Sequence, residues 1–303
     1  MQDPPSTKPR RLRELIDKQT LVLPGAFNAL TAIQIERAGF SAVYISGAAL
    51  AAARGLPDLG LLTLTEVLSD SATIANAVSI PALADVDTGF GAAITVMRTV
   101  REFEQAGIAG IQLEDQENPK KCGHLSGKRL VSSQEMVGKI LAATEARRDK
   151  DFLIVARTDA RGVEGLEAAV ERAQAYVEAG ADVIFPEALE SAEEFRTFAT
   201  QLAKQGAKVP LVANMTEFGK TPYLSVSEFE DLGYRLVLFP VTALRVTTKA
   251  VEQVLRDLAN HGSQRNLLGQ MHTRQQLYEL LQYEEYERRE RSFRSTDDGT
   301  SHN

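Results

Sequence analysis

The chain has 303 residues, 44% hydrophobic and 25% charged, a composition typical of a globular protein that can bury a large core. A net charge of −7 without a Lys/Arg block argues against a nucleic-acid partner, and no apolar run approaches the ~20 residues that span a bilayer. The single cysteine excludes an internal disulfide and, with these features, predicts a cytoplasmic protein without a membrane segment.

Short apolar runs alternate with amphipathic segments after an N-terminal arm and lead-in helix at residues 1–19. The predicted strands cover residues 21–24, 42–46, 81–85, 110–114, 152–157, 182–185, 211–214 and 236–239. The predicted helices cover residues 28–38, 65–78, 93–106, 133–147, 164–179, 193–204, 226–232 and 243–261. This alternation predicts a parallel sheet closed into a (β/α)₈ TIM barrel over residues 20–262. A doubly wound open sheet is the alternative, but residues 24–27 do not form its glycine-rich phosphate loop.

A helical extension is predicted at residues 263–291, after the barrel. Its helix at 273–291 places Leu277, Leu280, Leu281 and Tyr283 where they need an apolar partner, which suggests a subunit interface. Residues 292–303 lack apolar periodicity and are expected to form a mobile tail.

Polar residues end six of the predicted strands. In a TIM barrel the active site forms at the carboxyl ends of the strands, so these residues are expected to converge. The residues at or just after these strand ends are Ser46 and Gly47, Asp85 and Asp87, Glu114, Arg157, Glu187, and Asn214, Met215 and Thr216. The agreement of six strand ends favours a functional site over ordinary solvated loops.

Three carboxylates among these residues indicate a metal site. Asp85, Asp87 and Glu114 would repel one another in a small volume unless a cation lay among them. Oxygen donors suit Mg²⁺, with Mn²⁺ as a second candidate. Zinc is disfavoured because Cys122 is the only cysteine and His124 has no histidine partner nearby in the sequence.

Three arginines would supply the complementary positive charge. Arg157, Arg245 and Arg274 can each form a forked pair with a carboxylate. An acidic metal site beside arginines predicts a small polycarboxylate substrate.

The single cysteine lies in the stretch Lys120-Lys121-Cys122-Gly123-His124, inside a long loop at residues 115–132. Neighbouring positive charge favours a reactive thiol, whereas an isolated cysteine is often a small buried hydrophobe. Polar neighbours argue against a core position, and the local chemistry leaves both interpretations open. Long βα loops of this kind often close over a site as lids.

The Lys-Lys-Cys-Gly-His stretch resembles the carbon–carbon lyase signature of the isocitrate lyase and phosphoenolpyruvate mutase superfamily. Other stretches that resemble this superfamily lie at residues 44–47, 55–58, 85–91, 113–116, 156–159, 185–187 and 214–219. Residues 185–188 and the compact length are similar to the 2-methylisocitrate lyases within it. The resemblance covers roughly residues 20 to 290.

This resemblance implies a TIM barrel whose terminal helices are exchanged between subunits, usually in a homotetramer. It implies that Asp85 and Asp87 hold Mg²⁺, partly through waters, and that the pyruvate moiety contacts residues 46–48. The residues that it places in the substrate site are Ser46, Gly47, Ala48, Asp58, Cys122, Gly123, His124, Arg157, Glu187, Asn214, Met215, Thr216, Arg245 and Arg274.

The implied reaction is a retro-Claisen cleavage of 2-methylisocitrate into pyruvate and succinate, a step of propionate breakdown. Cys122 is the candidate general acid, and Tyr44 is a candidate base for the hydroxyl proton. Isocitrate and a 2,3-dimethylmalate-type compound are the alternative substrates. A noncatalytic binding barrel is the alternative from a different class.

Overall fold

The computed structural model describes residues 6–294, and the predictions for residues 1–5 and 295–303 fall outside this range. Within it, strands β1 to β8 form one parallel sheet in the order β6-β5-β4-β3-β2-β1-β8-β7. A parallel bridge between Ile184 and Leu211 joins the two ends of the sheet. The strands are Leu21–Ala26, Val43–Ile45, Ala82–Asp85, Gly110–Glu114, Leu153–Thr158, Val183–Pro186, Val212–Asn214 and Leu236–Phe239. The predicted (β/α)₈ barrel is confirmed.

Helices α1 to α12 precede, alternate with and follow these strands. They are Lys8–Lys18, Ala29–Arg37, Gly47–Ala53, Leu64–Asn76, Ala93–Gln105, Ser133–Ala146, Leu166–Glu178, Ala192–Lys204, Val226–Asp231, Thr242–His261, Arg274–Leu280 and Tyr283–Arg294. Two 3₁₀ turns, Ala160–Gly162 and Arg265–Gln270, complete the described elements. None of the helices in residues 6–294 is both long and apolar enough to cross a membrane.

Side chains on each strand alternate between two apolar layers, as a closed sheet requires. In β2, Tyr44 belongs to the cluster inside the barrel, whereas Val43 and Ile45 belong to the layer between strands and helices. Leu12 and Ile16 of α1 join the inner cluster beside residues at the starts of the strands. Helix α1 therefore packs against the amino-terminal end of the barrel, and the carboxyl ends of the strands are left for the site.

One helix, α3, lies where the sequence analysis predicted a loop. Its sequence Gly-Ala-Ala-Leu-Ala-Ala-Ala contains five alanines and one leucine, the strongest helix formers, and the Ser46 side chain accepts a hydrogen bond from Ala49 N at 3.4 Å. The short alanine-rich helix begins directly at the end of β2, so its first residues belong to the same strand end as the site.

The described residues form two compact units that divide between Val246 and Thr247, within helix α10. The helix predicted at 273–291 is divided into α11 and α12 at Gln282, which has a φ of 55°. Tyr278 and Tyr283 stack across this break with ring centroids 4.5 Å apart. The domain boundaries inferred from the sequence stay predictions.

Candidate active site

A pocket opens at the carboxyl ends of the strands in the barrel unit, where the sequence placed it. The predicted residues that line it are Tyr44, Ser46, Ala48, Asp58, Asp85, Cys122, Gly123, His124, Arg157, Glu187, Asn214, Thr216 and Arg245. The lining residues that the sequence analysis did not include in the site are Lys120, Lys121, Phe185, Leu238, Pro240 and Val241. The apolar ones lie near the ends of β6 and β8 or directly after β8, where the sequence gives no sign of a functional role.

Some predicted residues lie outside this lining. Gly47 N donates to Asp85 Oδ2 at 3.3 Å, at the start of α3. Met215 is buried, and its backbone N–H donates to Leu238 O at 2.8 Å, which makes it a support for the pocket wall. Arg274 belongs to the second unit, and its contact with substrate stays a prediction.

Asp85 and Asp87 lie together beneath the first turn of α3. A Cβ atom at position 47 would lie 3.2 Å from both Asp85 Oδ2 and Asp87 Oδ1, so glycine leaves room for the two carboxylates. Burial, and then the charge of Asp87, raises the pKa of Asp85 to about 6. Burial also raises the pKa of Glu114 well above its usual range. Both shifts show that burial makes negative charge costly here even beside Lys120 and Arg157, which favours binding of a further cation.

The donor set fits Mg²⁺. Glu114 Oε1 is buried and accepts no hydrogen bond, and the nearest cation to Asp87 Oδ1 is the Lys120 ammonium at 2.8 Å. Residues 6–294 contain no ready-made group of three His, Cys, Asp or Glu side chains around a metal position. Mg²⁺ does not require one, since it usually binds through one or two carboxylates, several waters and the substrate. Asp85 and Asp87 are the adjoining pair, whereas Glu114 Oε2 lies 3.2 Å from Arg157 Nε.

Lys120 connects the cysteine loop, residues 115–132, to the acidic cluster formed by Asp85, Asp87 and Glu114. Its Nζ donates to Asp58 and lies 2.8 Å from Asp87 Oδ1. Burial lowers its pKa, but the charges of four carboxylates together outweigh burial and raise the pKa well above the usual range; they are those of Asp87, Glu114, Asp58 and Asp85. The lysine therefore stays charged. In the sequence, the position of Lys120 inside the Lys-Lys-Cys-Gly-His stretch was the feature that could have indicated this role.

Arg157 is the centre of a buried charge network at the ends of β4, β5 and β6. Its guanidinium lies 2.9 Å from Asp159 Oδ2 through Nε, 3.0 Å from Glu187 Oε2 through Nη1 and 3.2 Å from Glu114 Oε2. It also stacks over the Phe185 ring, 5.2 Å from the centroid. Burial is the largest influence and opposes ionisation of Glu187 and Asp159, but Arg157 and Lys128, with His124 beside Glu187, together outweigh it and lower the pKa of both carboxyls. Arg157 thus helps to keep two carboxylates ionised at the pocket wall.

The two ends of the cysteine loop pair with each other through backbone hydrogen bonds. Gln116 and Leu130 form an antiparallel bridge, and Glu117 N donates to Arg129 O at 2.8 Å. The Gln116 side chain also binds both backbone groups of Lys121, at 2.8 and 2.9 Å. The part of the loop between these paired ends is therefore ordered, and it lines the pocket.

Cys122 and His124 lie on the pocket side of this loop. Burial raises the pKa of the Cys122 thiol above its ordinary value of 9.0, so the thiol is protonated at neutral pH. His124 Nδ1 accepts from Lys220 N at 3.0 Å, which leaves the other ring nitrogen protonated and 3.2 Å from Glu187 Oε1. The structure therefore favours a thiol proton donor rather than the thiolate suggested by the flanking lysines.

Tyr44 is buried inside the barrel below the pocket. Its hydroxyl donates to Gln112 Oε1 at 2.6 Å, and burial followed by the charge of Asp85 raises its pKa well above the usual range. A neutral phenol in this setting can donate a hydrogen bond but is a poor proton acceptor. These surroundings do not favour the role of base that the sequence analysis considered for Tyr44.

The fold and the site define an enzyme of the (β/α)₈ barrel class, with an acidic cluster that fits a divalent cation and a cysteine on a loop above it. The family model described as phosphoenolpyruvate phosphomutase matches residues 12–259. The chain belongs to the phosphoenolpyruvate mutase and isocitrate lyase superfamily.

Several relatives match almost the whole chain. The 2-methylisocitrate lyase of Aeropyrum pernix is 56% identical over 92% of this chain and 89% of its own length. The 2-methylisocitrate lyase of Bacillus subtilis is 47% identical over 94% of this chain and 93% of its own length. A crystal structure of 2,3-dimethylmalate lyase superposes with a TM-score of 0.87 at 36% identity, covering 94% of this chain and 95% of that one. A phosphonopyruvate hydrolase complex with oxalate and Mg²⁺ has a TM-score of 0.84 at 34% identity, covering 93% and 97%.

Proposed function

We propose that this chain is a carbon–carbon lyase that cleaves 2-methylisocitrate into pyruvate and succinate. The observation that carries the proposal is the neutral thiol of Cys122 on the pocket wall, facing a site built from carboxylates, lysine and arginine. The names of eight relatives at 45–56% identity, six called 2-methylisocitrate lyase and two probable 2-methylisocitrate lyase, support the choice of substrate. The step belongs to the breakdown of propionate.

The reaction breaks the bond between the carbon that carries the hydroxyl group and its neighbour. The hydroxyl loses its proton and becomes the carbonyl of pyruvate, and the electron pair of the broken bond stays on the carbon that becomes part of succinate. The adjacent carboxylate delocalises this charge as an aci-carboxylate. Positive charge from Arg157 and Arg245 at the pocket wall stabilises that intermediate. Cys122 then donates its thiol proton to the carbon, which completes succinate.

Asp85 and Asp87, with Glu114 nearby, are the residues that would hold Mg²⁺. A bound Mg²⁺ supplies Lewis acidity, which lowers the cost of negative charge on the hydroxyl oxygen of the substrate by several kcal/mol. Other residues of the site orient the substrate. Ser46 and Ala48 line the wall beside this cluster, and Asn214 donates to Glu187 Oε2 at 3.1 Å on the opposite wall.

Replacing Asp87 with alanine should weaken Mg²⁺ binding because it removes one of the two adjoining carboxylates. We expect the Mg²⁺ concentration for half-maximal activity and the calorimetric dissociation constant to rise at least about 10-fold, the smallest effect usual even for outer-shell changes. Asp231→Ala, at an exposed position at the end of α9, is the matched control. An Asp87→Ala titration that coincides with that of the control would place the metal elsewhere.

The alternative substrates can be separated by their products. 2-Methylisocitrate yields pyruvate and succinate, isocitrate yields glyoxylate and succinate, and 2,3-dimethylmalate yields pyruvate and propionate. The test is kcat/KM for each compound with and without Mg²⁺, with the products identified by chromatography. We expect the highest kcat/KM with 2-methylisocitrate. A higher value with either of the other compounds would reassign the substrate, and no cleavage of any of them would remove the lyase proposal.

We further propose a cytoplasmic homotetramer. Helix α10 supports an assembly because Val251 and Leu255 are at least half exposed and apolar residues rarely cluster on a free helix face. Light scattering on the full chain should give about four times the mass of 33.1 kDa. A monomer at micromolar concentration would contradict this assembly.

A further inference from the structure

Lys128 is a buried lysine at the end of the cysteine loop, outside the pocket lining. Its side chain is only 2% exposed and that of Asp159 is fully buried. Lys128 Nζ lies 2.8 Å from Asp159 Oδ1 and donates a second hydrogen bond to the carbonyl oxygen of Gly123. One ammonium group therefore joins the loop, at the residue after Cys122, to the end of strand β5.

The Gly123 backbone lies directly on the charged wall of the site. A Cβ atom at this position would lie 2.3 Å from Glu187 Cγ and 2.5 Å from Arg157 Nη2. Glycine is therefore required for this close approach, and the approach fixes how deeply the Cys122 side chain enters the pocket. The carbonyl group of Gly123 is the point that Lys128 holds.

The other end of the contact is rigid. The Asp159 carboxylate also binds Arg157, at 2.9 Å through Nε and 3.2 Å through Nη2. Its backbone N–H donates to Asp115 Oδ1 at 2.9 Å, and the second oxygen of Asp115 accepts from Thr158 and Tyr176. Lys128 therefore anchors a surface loop to a fully hydrogen-bonded part of the barrel interior.

We propose that Lys128 is a positioning residue that latches the cysteine loop closed, so that Cys122 is held at the depth needed for proton transfer. Lys128 acts through Gly123 and Asp159 and does not line the pocket itself. Lys120 also joins the loop to the barrel, but it contacts the carboxylates Asp58 and Asp87 and would respond to metal. The catalytic consequence of the latch rests on the proposed lyase function, whereas its effect on the loop does not.

The single cysteine of the chain provides a direct reporter of the latch. The experiment measures the rate at which 5,5′-dithiobis(2-nitrobenzoate) modifies Cys122 in the full-length protein at pH 8, without substrate. In Lys128→Met the loop is released, the thiol is exposed and its pKa returns toward the ordinary value. We expect the reagent to modify Cys122 at least about 10-fold faster in Lys128→Met than in the protein without a substitution, because thiol reactivity follows exposure and thiolate fraction.

Arg129→Met is the matched control, since it removes a neighbouring charge of the same loop. The Arg129 side chain is 72% exposed and forms a surface ion pair with Glu117, at 3.0 Å. This variant should react within about twofold of the unmodified protein. Lys128→Arg retains the charge and both donors and should restore most of the protection. Lys128→Gln, which can hold only part of the contact, carries the same test if Lys128→Met does not fold.

Two results would overturn the latch. One is a modification rate in Lys128→Met or Lys128→Gln equal to that of the unmodified protein, and the other is equal acceleration in Arg129→Met. Lys128→Met should also lower kcat more than it raises KM, because the misplaced thiol affects protonation more than binding. If the unmodified protein fails to cleave 2-methylisocitrate, the proposed function fails while the thiol measurement still decides the latch.

Discussion

Replacement of Cys122 by serine is expected to lower kcat by about 10²–10⁴-fold, the usual contribution of a positioned general acid. The thiol is neutral because burial raises its pKa, and it can give its proton to the carbanion. A serine hydroxyl has nearly the same shape but is a far weaker acid. Steady-state kinetics with 2-methylisocitrate and Mg²⁺ measures the loss, and calorimetry with pyruvate and succinate should show binding close to that of the unmodified protein.

The pH dependence distinguishes a proton donor from a structural cysteine. A donor must be protonated, so kcat should hold through neutral pH and fall as pH rises through the elevated pKa of the thiol, above 9.0. This alkaline decrease should disappear in the residual activity of Cys122→Ser. A serine variant that turns over within about threefold of the unmodified protein, with the same pH profile, would remove Cys122 from the proton transfer.

Replacement of Arg157 by methionine is expected to destabilise the fold by about 3–5 kcal/mol, the usual cost of leaving buried charges without their partner. Glu114, Asp159 and Glu187 all lie within 3.2 Å of the guanidinium. Methionine fills similar space beside Phe185 but provides no charge. Urea denaturation at pH 7 measures the loss in the free energy of unfolding, and activity should be lost as well.

Lower pH should reduce the difference in the free energy of unfolding between Arg157→Met and the protein without the substitution. Glu187 and Asp159 have lowered pKa values in the folded protein, so their stabilising contribution is present above the unfolded pKa, about 4. That contribution is lost only as pH falls through the lowered folded pKa. In Arg157→Met the two carboxyls take up protons at higher pH, which relieves the repulsion. Arg129→Met, an exposed control, should lose less than about 1 kcal/mol at any pH. A constant difference between pH 7 and pH 4.5 would contradict this account.

Strand and helix periodicity was sufficient to predict the barrel, because each βα unit carries its own alternation of apolar residues. Errors occurred where local composition was ambiguous. The alanine-rich segment Gly47–Ala53 resembles a loop beside glycine and proline residues, yet Ser46 caps it as a helix. The break at Gln282 has no strong sequence signal, since only its backbone φ of 55° divides α11 from α12.

The site was predictable to the extent that strand ends converge in a barrel. Asp85, Arg157, Glu187 and Asn214 meet in one pocket because parallel strands place their carboxyl ends at one edge. Contacts between loops are not encoded in that way. Lys120 with Asp58 and Lys128 with Asp159 are separated by 62 and 31 residues, and only the folded loop brings each pair together. Burial raises the pKa of Cys122 and keeps its thiol protonated, whereas the flanking lysines in the sequence suggested a thiolate.

The central claim is that the bond to the succinate carbon breaks and that this carbon is then protonated from a group in exchange with solvent. Cleavage of 2-methylisocitrate in D₂O with Mg²⁺, followed by mass spectrometry of both products, tests this directly. We expect succinate with about one deuterium per molecule and initially unlabelled pyruvate, formed in equal amounts. Failure to form the two products, or enzyme-dependent deuterium in the pyruvate methyl group instead of succinate, would contradict the account.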